Sequence, residues 1–124
     1  MIIGIGTDII EIERVRRAVS REHFKNRVFT KIEQNYCESR GAQSAASYAA
    51  RFAAKEAFFK AIGTGIVTNL TEVEIVNDAA GKPQIFLYGA AKILAEDNHV
   101  EKIFVSLSHS REFATAVAVL EGNC

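Results

Sequence analysis

Net charge is the first thing this chain lacks. Its 15 Lys and Arg balance its 15 Asp and Glu, so the formal charge is zero. That balance argues against a nucleic-acid-binding domain held by bulk positive charge, and leaves room only for a local basic patch. Cysteine is scarce as well. Cys37 and Cys124, the second at the last position, form neither a metal-ligand spacing nor a disulfide framework, which suits a reducing cytosol. No apolar run reaches membrane-spanning length. The opening MIIGIGTDII is too short for a signal peptide and is interrupted by Asp8. Linkers, repeats and low-complexity segments are missing too. These absences predict one domain over residues 1–124, soluble and cytoplasmic, with no membrane or nucleic-acid partner. What is present is ordinary globular material: 48% hydrophobic and 24% charged residues, enough for a real core.

Nucleotide motifs are incomplete. Gly4-x-Gly6 has Ile9 where a dinucleotide fingerprint needs its third glycine, and no P-loop follows. The apolar run IIGIG, ending at Thr7-Asp8, reads as a buried strand. Ile12, Val15, Ala18 and Val19 recur at helical spacing from about Glu11 to Val19, with Arg14, Arg17 and Arg21 close together on the other side. TKIE at Thr30 to Glu33 has the form of a capping box, so a short helix begins there. A long helix is predicted over about Ser44 to Ile62, stopped by Gly63, with Gly65 following in a tight loop. The second half alternates. TEVEIVND, a DAAGKP turn and QIFLYG read as a hairpin, AAKILAEDNHV as a helix, and KIFVSLSHS with FATAVAVLEG as a second strand pair turning near Ser110-Arg111-Glu112. The order β-α-α-α-β-β-α-β-β favours hairpins over β-α-β crossovers. An α+β fold with a mainly antiparallel sheet on a long helix is expected.

The long helix poses a question. RFAAKEAFFKAIGTGI is apolar almost all round, as a buried helix is, yet it carries Arg51, Lys55, Glu56 and Lys60. At about 100° per residue, Glu56 and Lys60 fall to one side of Phe52, whereas Lys55 and Arg51 fall to the other. Glu56 and Lys60 can form a simple i,i+4 salt bridge. Dehydrating charges is costly, however, and Gly63-Thr64-Gly65 lets backbone approach a ligand closely. Asp8 is open to two readings as well. It can cap the following helix, or join Glu56 to hold Mg²⁺ with substrate phosphates, a lysine nearby countering phosphate charge. His109 shares the alternating face of Ile103, Val105 and Leu107, as a structural histidine does. Its SLSHS setting at a strand end also suits a phosphate contact.

In combination, GIGTDIIEIERV at 4–15, RFAAKEAFFKAIGTGI at 51–66, GKP at 81–83 and VSLSHS at 105–110 resemble the holo-acyl-carrier-protein synthases, the short bacterial type of 4′-phosphopantetheinyl transferase. The similarity runs through essentially the whole chain. It implies transfer of the 4′-phosphopantetheine arm of coenzyme A to a serine of acyl carrier protein, with release of adenosine 3′,5′-bisphosphate, dependence on Mg²⁺ and a role in fatty acid biosynthesis. It places Asp8 and Glu56 as metal ligands and Lys60 near the diphosphate. Arg51, His109 and Ser110 fall at the nucleotide end of coenzyme A. Lys55, Gly63, Gly65, Gly81, Lys82 and Pro83 join the coenzyme-binding set. Arg14 is a carrier-protein contact, and the stripe it forms with Arg17 and Arg21 suits an acidic carrier. A homotrimer with the coenzyme between chains is implied as well. One position departs: relatives often carry Asn before Gly-Lys-Pro, where this chain has Ala80. The proton acceptor stays open between Glu56 and metal-bound water.

Two other readings compete. A Mg²⁺-dependent nuclease would use an acid-x-Lys pair on a strand, whereas here Glu56 and Lys60 lie on a helix in a chain of zero net charge. A carrier-binding scaffold without chemistry would have no need of Asp8, Glu56 and Lys60 together.

Overall fold

Alanine decides how this chain packs. The computed structural model describes residues 1–123, and Cys124 lies outside them. Its longest helix, α4 (Ser44–Ile62), follows β1 (Ile2–Glu11), α1 (Ile12–Val19), α2 (Glu22–Val28) and α3 (Lys31–Glu38). After α4 come the hairpin β2 (Val73–Asn77) and β3 (Pro83–Leu87), then α5 (Gly89–Asp97), β4 (Val100–His109) and β5 (Phe113–Gly122). Short 3-10 turns at Gly41–Gln43 and Leu70–Glu72 flank α4. Ala53, Ala54, Ala57 and Ala61 bury one side of α4 against Ala116, Ala118 and Leu120 of β5. Ala45, Ala46, Ala49 and Ala50 bury its first half against Ile12, Val15, Phe29 and Cys37. Small side chains bring backbones close, and Phe58 and Phe59, both fully buried, contribute about 1.5–3 kcal/mol each by leaving water. Gly63 ends α4 at φ 97°, a conformation glycine adopts without a Cβ clash.

The strands form two antiparallel sheets, ordered β1-β5-β4 and β2-β3. This is the α+β architecture expected. The capping box at Thr30 and Glu33 is formed at the start of α3. Two expectations need correction. The segment after Arg21 forms α2, an additional helix whose single buried residue is Val28. The first strand runs on past Asp8 to Glu11, with Asp8 opposite Ala116 in the ladder. Asp8 therefore caps no helix; α1 starts after Glu11, which makes no side-chain cap.

Gly4 and Gly6 set the spacing between β1 and α4. A Cβ on Gly4 would lie 2.2 Å from the Ala61 carbonyl oxygen, and one on Gly6 would lie 2.1 Å from that of Ala57. The Gly-x-Gly pair is thus a packing device, and it brings Asp8 onto the Glu56 and Lys60 side of the helix.

Candidate active site

Lys60 Nζ donates to Asp8 Oδ1 at 2.9 Å, joining the end of α4 to the middle of β1. The Asp8 side chain is 10% exposed, whereas the Lys60 side chain is 52% exposed. The i,i+4 pair of Glu56 with Lys60 is not among the ion pairs; Lys60 reaches across to the strand instead. Burial pushes the Glu56 carboxyl above the usual glutamate range, and the charge of Asp8 adds to this, while Lys60 and Arg14 oppose it. The hydrogen bond to Asp8 holds the Lys60 ammonium above its ordinary value. Two carboxylates that repel one another beside one ammonium form a site that gains from a further cation.

The donor set says which cation fits. Asp8 and Glu56 offer hard oxygen ligands. Among the described residues, no group of three or more His, Cys, Asp or Glu side chains is gathered to hold a metal. Mg²⁺ is bound in this manner, by one or two carboxylates with substrate phosphates and water completing the shell.

Asp8 and Glu56 open onto a groove of about 790 Å³. Arg14, Arg17 and Arg21 line it, and Ile10, Phe24 and Phe52 give it an apolar floor. The predicted basic stripe therefore borders the carboxylates. Phe24 and Phe52, with ring centroids 6.2 Å apart, were not singled out as site residues in the sequence.

The other predicted residues gather elsewhere. Arg51, Gly81, Pro83 and His109 line a second cleft, of about 250 Å³, that shares no residue with the first. Arg51 is 3% exposed. Its Nη2 donates to Asn77 Oδ1 at 3.1 Å, and its guanidinium lies 4.3 Å from the Tyr36 ring centroid. Its buried Nε has no hydrogen-bond partner in the structure. Nothing in the sequence marked Tyr36 or Asn77 as the groups that hold this arginine. His109 is exposed at the end of β4 and is no core histidine. Ser110, beside it, faces a neighbouring depression with Arg16 and Arg111, and its hydroxyl meets the amide of Phe113 at 3.2 Å. Gly81 turns the hairpin at φ 90°. Asp78 Oδ1 accepts from the amides of both Ala80 and Lys82 at 2.9 Å, so the turn keeps its form with alanine at 80. Lys82 is exposed in that turn and does not line the cleft. Gly63 and Gly65 form an exposed loop beyond Lys60, both at positive φ.

Lys55 requires correction. It is fully buried, and its ammonium donates to Glu33 Oε1 at 2.8 Å and to the carbonyls of Leu70 and Val73 at 2.8 and 2.6 Å. All three N–H groups have acceptors, so none remains for a coenzyme. Its own chain covers it, and no neighbour is needed to do so. Burial lowers its pKa, against the raising effect of Glu33. Glu33 in turn accepts from the amides of Thr30 and Ile75, so one carboxylate ties α3, α4 and β2 together.

Residues 4–118 match the family model described as the 4′-phosphopantetheinyl transferase superfamily. The holo-[acyl-carrier-protein] synthase of Geobacter metallireducens is 50% identical, with 98% of each chain covered. The solved structure of holo-[acyl-carrier-protein] synthase from Neisseria meningitidis is 35% identical, with a TM-score of 0.88 over 98% of this chain and 99% of that one. A holo-(acyl-carrier-protein) synthase from Bacillus anthracis, solved in complex with CoA (3′,5′-ADP), is 38% identical, with a TM-score of 0.81 over 99% of each chain. With its carboxylate pair, lysine and paired clefts in place, the chain belongs to the 4′-phosphopantetheinyl transferase superfamily.

Proposed function

We propose that this phosphopantetheinyl transferase moves the 4′-phosphopantetheine arm of coenzyme A to a serine of apo-acyl carrier protein, supplying carriers for fatty acid biosynthesis in the cytoplasm. The observation that carries the mechanism is that Asp8 and Glu56 line a groove together with three arginines, while Lys60 is bonded to Asp8. Asp8 and Glu56 would hold Mg²⁺, which would supply positive charge to offset that of the diphosphate. The serine oxygen attacks the phosphorus on the pantetheine side. The bond to the bridging oxygen breaks, and adenosine 3′,5′-bisphosphate leaves. Lys60, held by Asp8 yet half exposed, presents its ammonium to that leaving charge. For the serine proton this chain offers Glu56, with water at the site as the alternative acceptor. Arg14, Arg17 and Arg21 attract the acidic carrier, and the Phe24 and Phe52 floor receives apolar side chains at its docking face.

The nucleotide end belongs in the Arg51 and His109 cleft. Because that cleft and the metal groove share no lining residue, a homotrimer places one chain's groove against its neighbour's cleft. An apolar sheet face supports this assembly. Ile5, Ile9, Phe104 and Val117 stand on one face of β1-β5-β4, exposed at 65%, 63%, 47% and 36%. A second copy of the chain is a natural cover for such a patch.

The test is direct. Apo-carrier protein incubated with this chain, coenzyme A and Mg²⁺ should gain about 340 Da, the size of the transferred arm. Asp8→Ala, folded by circular dichroism, should give almost no gain. An unmodified carrier with the wild-type chain, or full activity from Asp8→Ala, would overturn the assignment.

A further inference from the structure

α2 supplies Phe24 to the floor of the carboxylate groove, yet the helix has little to hold it there. It is seven residues long, buries only Val28, and has no side-chain cap at its start. A helix this short is marginal without tertiary contacts. Two polar side chains of α3 reach it. Gln34 Nε2 donates to Asn26 Oδ1 at 3.1 Å. Glu38, the last residue of α3, accepts through Oε2 from Lys25 Nζ at 3.1 Å. The same oxygen accepts from the Tyr48 hydroxyl of α4 at 2.5 Å. One carboxylate oxygen thus joins three helices.

Tyr48 is the fixed end of this network. It is 2% exposed, and its ring meets that of Phe29 edge-on with centroids 4.8 Å apart. Lys25 is the end that belongs to α2. Its side chain is 17% exposed and also meets Glu22 Oε1 at 3.2 Å. Hydrogen bonds from Tyr48 and then Lys25 hold the Glu38 carboxyl below its ordinary value, and those to Glu38 and then Glu22 hold the Lys25 ammonium above its own. An isolated surface pair contributes little; a network anchored on a buried phenol has less side-chain freedom to lose. Lys25 also differs from Arg14, Arg17 and Arg21. Those three line the groove and have no ion-pair partner among the described residues, whereas Lys25 stays out of the groove and spends its charge within the chain. We propose that Glu38 is a positioning residue for carrier docking: through Lys25 it straps α2 to α3 and α4 and keeps Phe24 beneath the docking face. The inference rests on the carrier-docking reading above and extends it to a carboxylate outside the groove.

Glu38 is exposed, so Glu38→Ala should fold. Its KM for apo-acyl carrier protein should rise about 3- to 10-fold, with kcat and the KM for coenzyme A kept. Removing a negative charge should by itself favour an acidic carrier, so the direction of the change separates the strap from bulk electrostatics. Phe24→Ala should raise the same KM. Adding Glu38→Ala to it should change nothing further, because the strap acts through Phe24. An unchanged or lowered carrier KM in Glu38→Ala, or effects that add in the double variant, would overturn the proposal and leave the docking reading standing. Phe24→Ala without effect would sink the docking reading and the proposal with it. Hydrogen exchange gives a readout that needs no carrier. The amides of α2 should exchange about 3- to 10-fold faster in Glu38→Ala, with those of α4 unchanged. Unchanged protection of α2 would refute the strap even if this chain modified no carrier at all.

Discussion

Lys55 and Glu56 are neighbours in sequence, but the helix turns about 100° between them. That rotation sends Lys55 into the protein and Glu56 to the groove. The Thr30-x-x-Glu33 capping box was readable from spacing alone. The second use of Glu33, as the partner of a lysine 22 residues later, was not, because no local pattern encodes it. Lys55 is therefore predicted to act on stability. Lys55→Met strands the Glu33 charge in the core and should cost about 3–5 kcal/mol by urea unfolding. The folded remainder should keep the wild-type KM for coenzyme A; a raised KM at unchanged stability would return Lys55 to the coenzyme site. Glu56 gives a prediction in pH. Folding raises its pKa, so the folded state favours the protonated form. The ionised form carries a penalty that is fully present above the folded pKa, fades as pH falls from there towards the unfolded value of about 4.3, and is gone below it. Glu56→Gln should accordingly raise the Tm of the metal-free protein at neutral pH, with the gain vanishing near pH 4. A gain that persists at acid pH would assign the effect to something other than ionisation.

At the scale of elements, boundaries set by strong local chemistry were legible. The helix stop at Gly63, the turn around Gly81 and the Ser110 hairpin all fall where the sequence placed them. α2 was missed because EHFKNRV has only seven residues and buries one, so no apolar period develops. The strand past Asp8 was missed because its ladder partner, β5, comes about a hundred residues later. Gly4-x-Gly6 resembled a broken nucleotide motif, and its meaning appears only with α4 laid across it. Gly6→Ala should test that meaning. The added methyl meets backbone at 2.1 Å and cannot be relieved by a side-chain rotation. β1 must move from α4, costing at least the roughly 1–3 kcal/mol typical of overpacking. Because β1 carries Asp8 and α4 carries Glu56, the variant should also need more Mg²⁺ for half-maximal activity. A stable, fully active Gly6→Ala with unchanged Mg²⁺ requirement would show that strand spacing does not set the site.

At the scale of the whole molecule, one chain presents two clefts that share no lining residue, proposed above as halves of one site. The groove holds carboxylates, lysine and a carrier-docking stripe. The cleft holds the nucleotide-side arginine and histidine, on a different side of α4. The residues of each half could be named from the sequence through family resemblance. Their separation could not, since helical angles place Arg51 relative to Glu56 but say nothing of His109 across the fold. If the complete site forms between chains of a closed ring, defects in different halves should complement. Asp8→Ala and His109→Ala are first shown to be inactive alone. They are then co-expressed with distinguishable tags, and mixed trimers are purified. In a randomly mixed pool, a site is intact where a His109→Ala chain supplies the groove and an Asp8→Ala chain supplies the cleft. With equal expression that arrangement arises at roughly a quarter of the interfaces of the unsorted pool and at about a third of those in purified mixed trimers, so activity should return to about those fractions of wild type. The recovery should disappear when Ile5→Glu, placed on the exposed sheet face, prevents assembly. Verified mixed trimers without recovered activity would mean that each site is completed within one chain, and the cleft of His109 would then serve the groove of its own protomer.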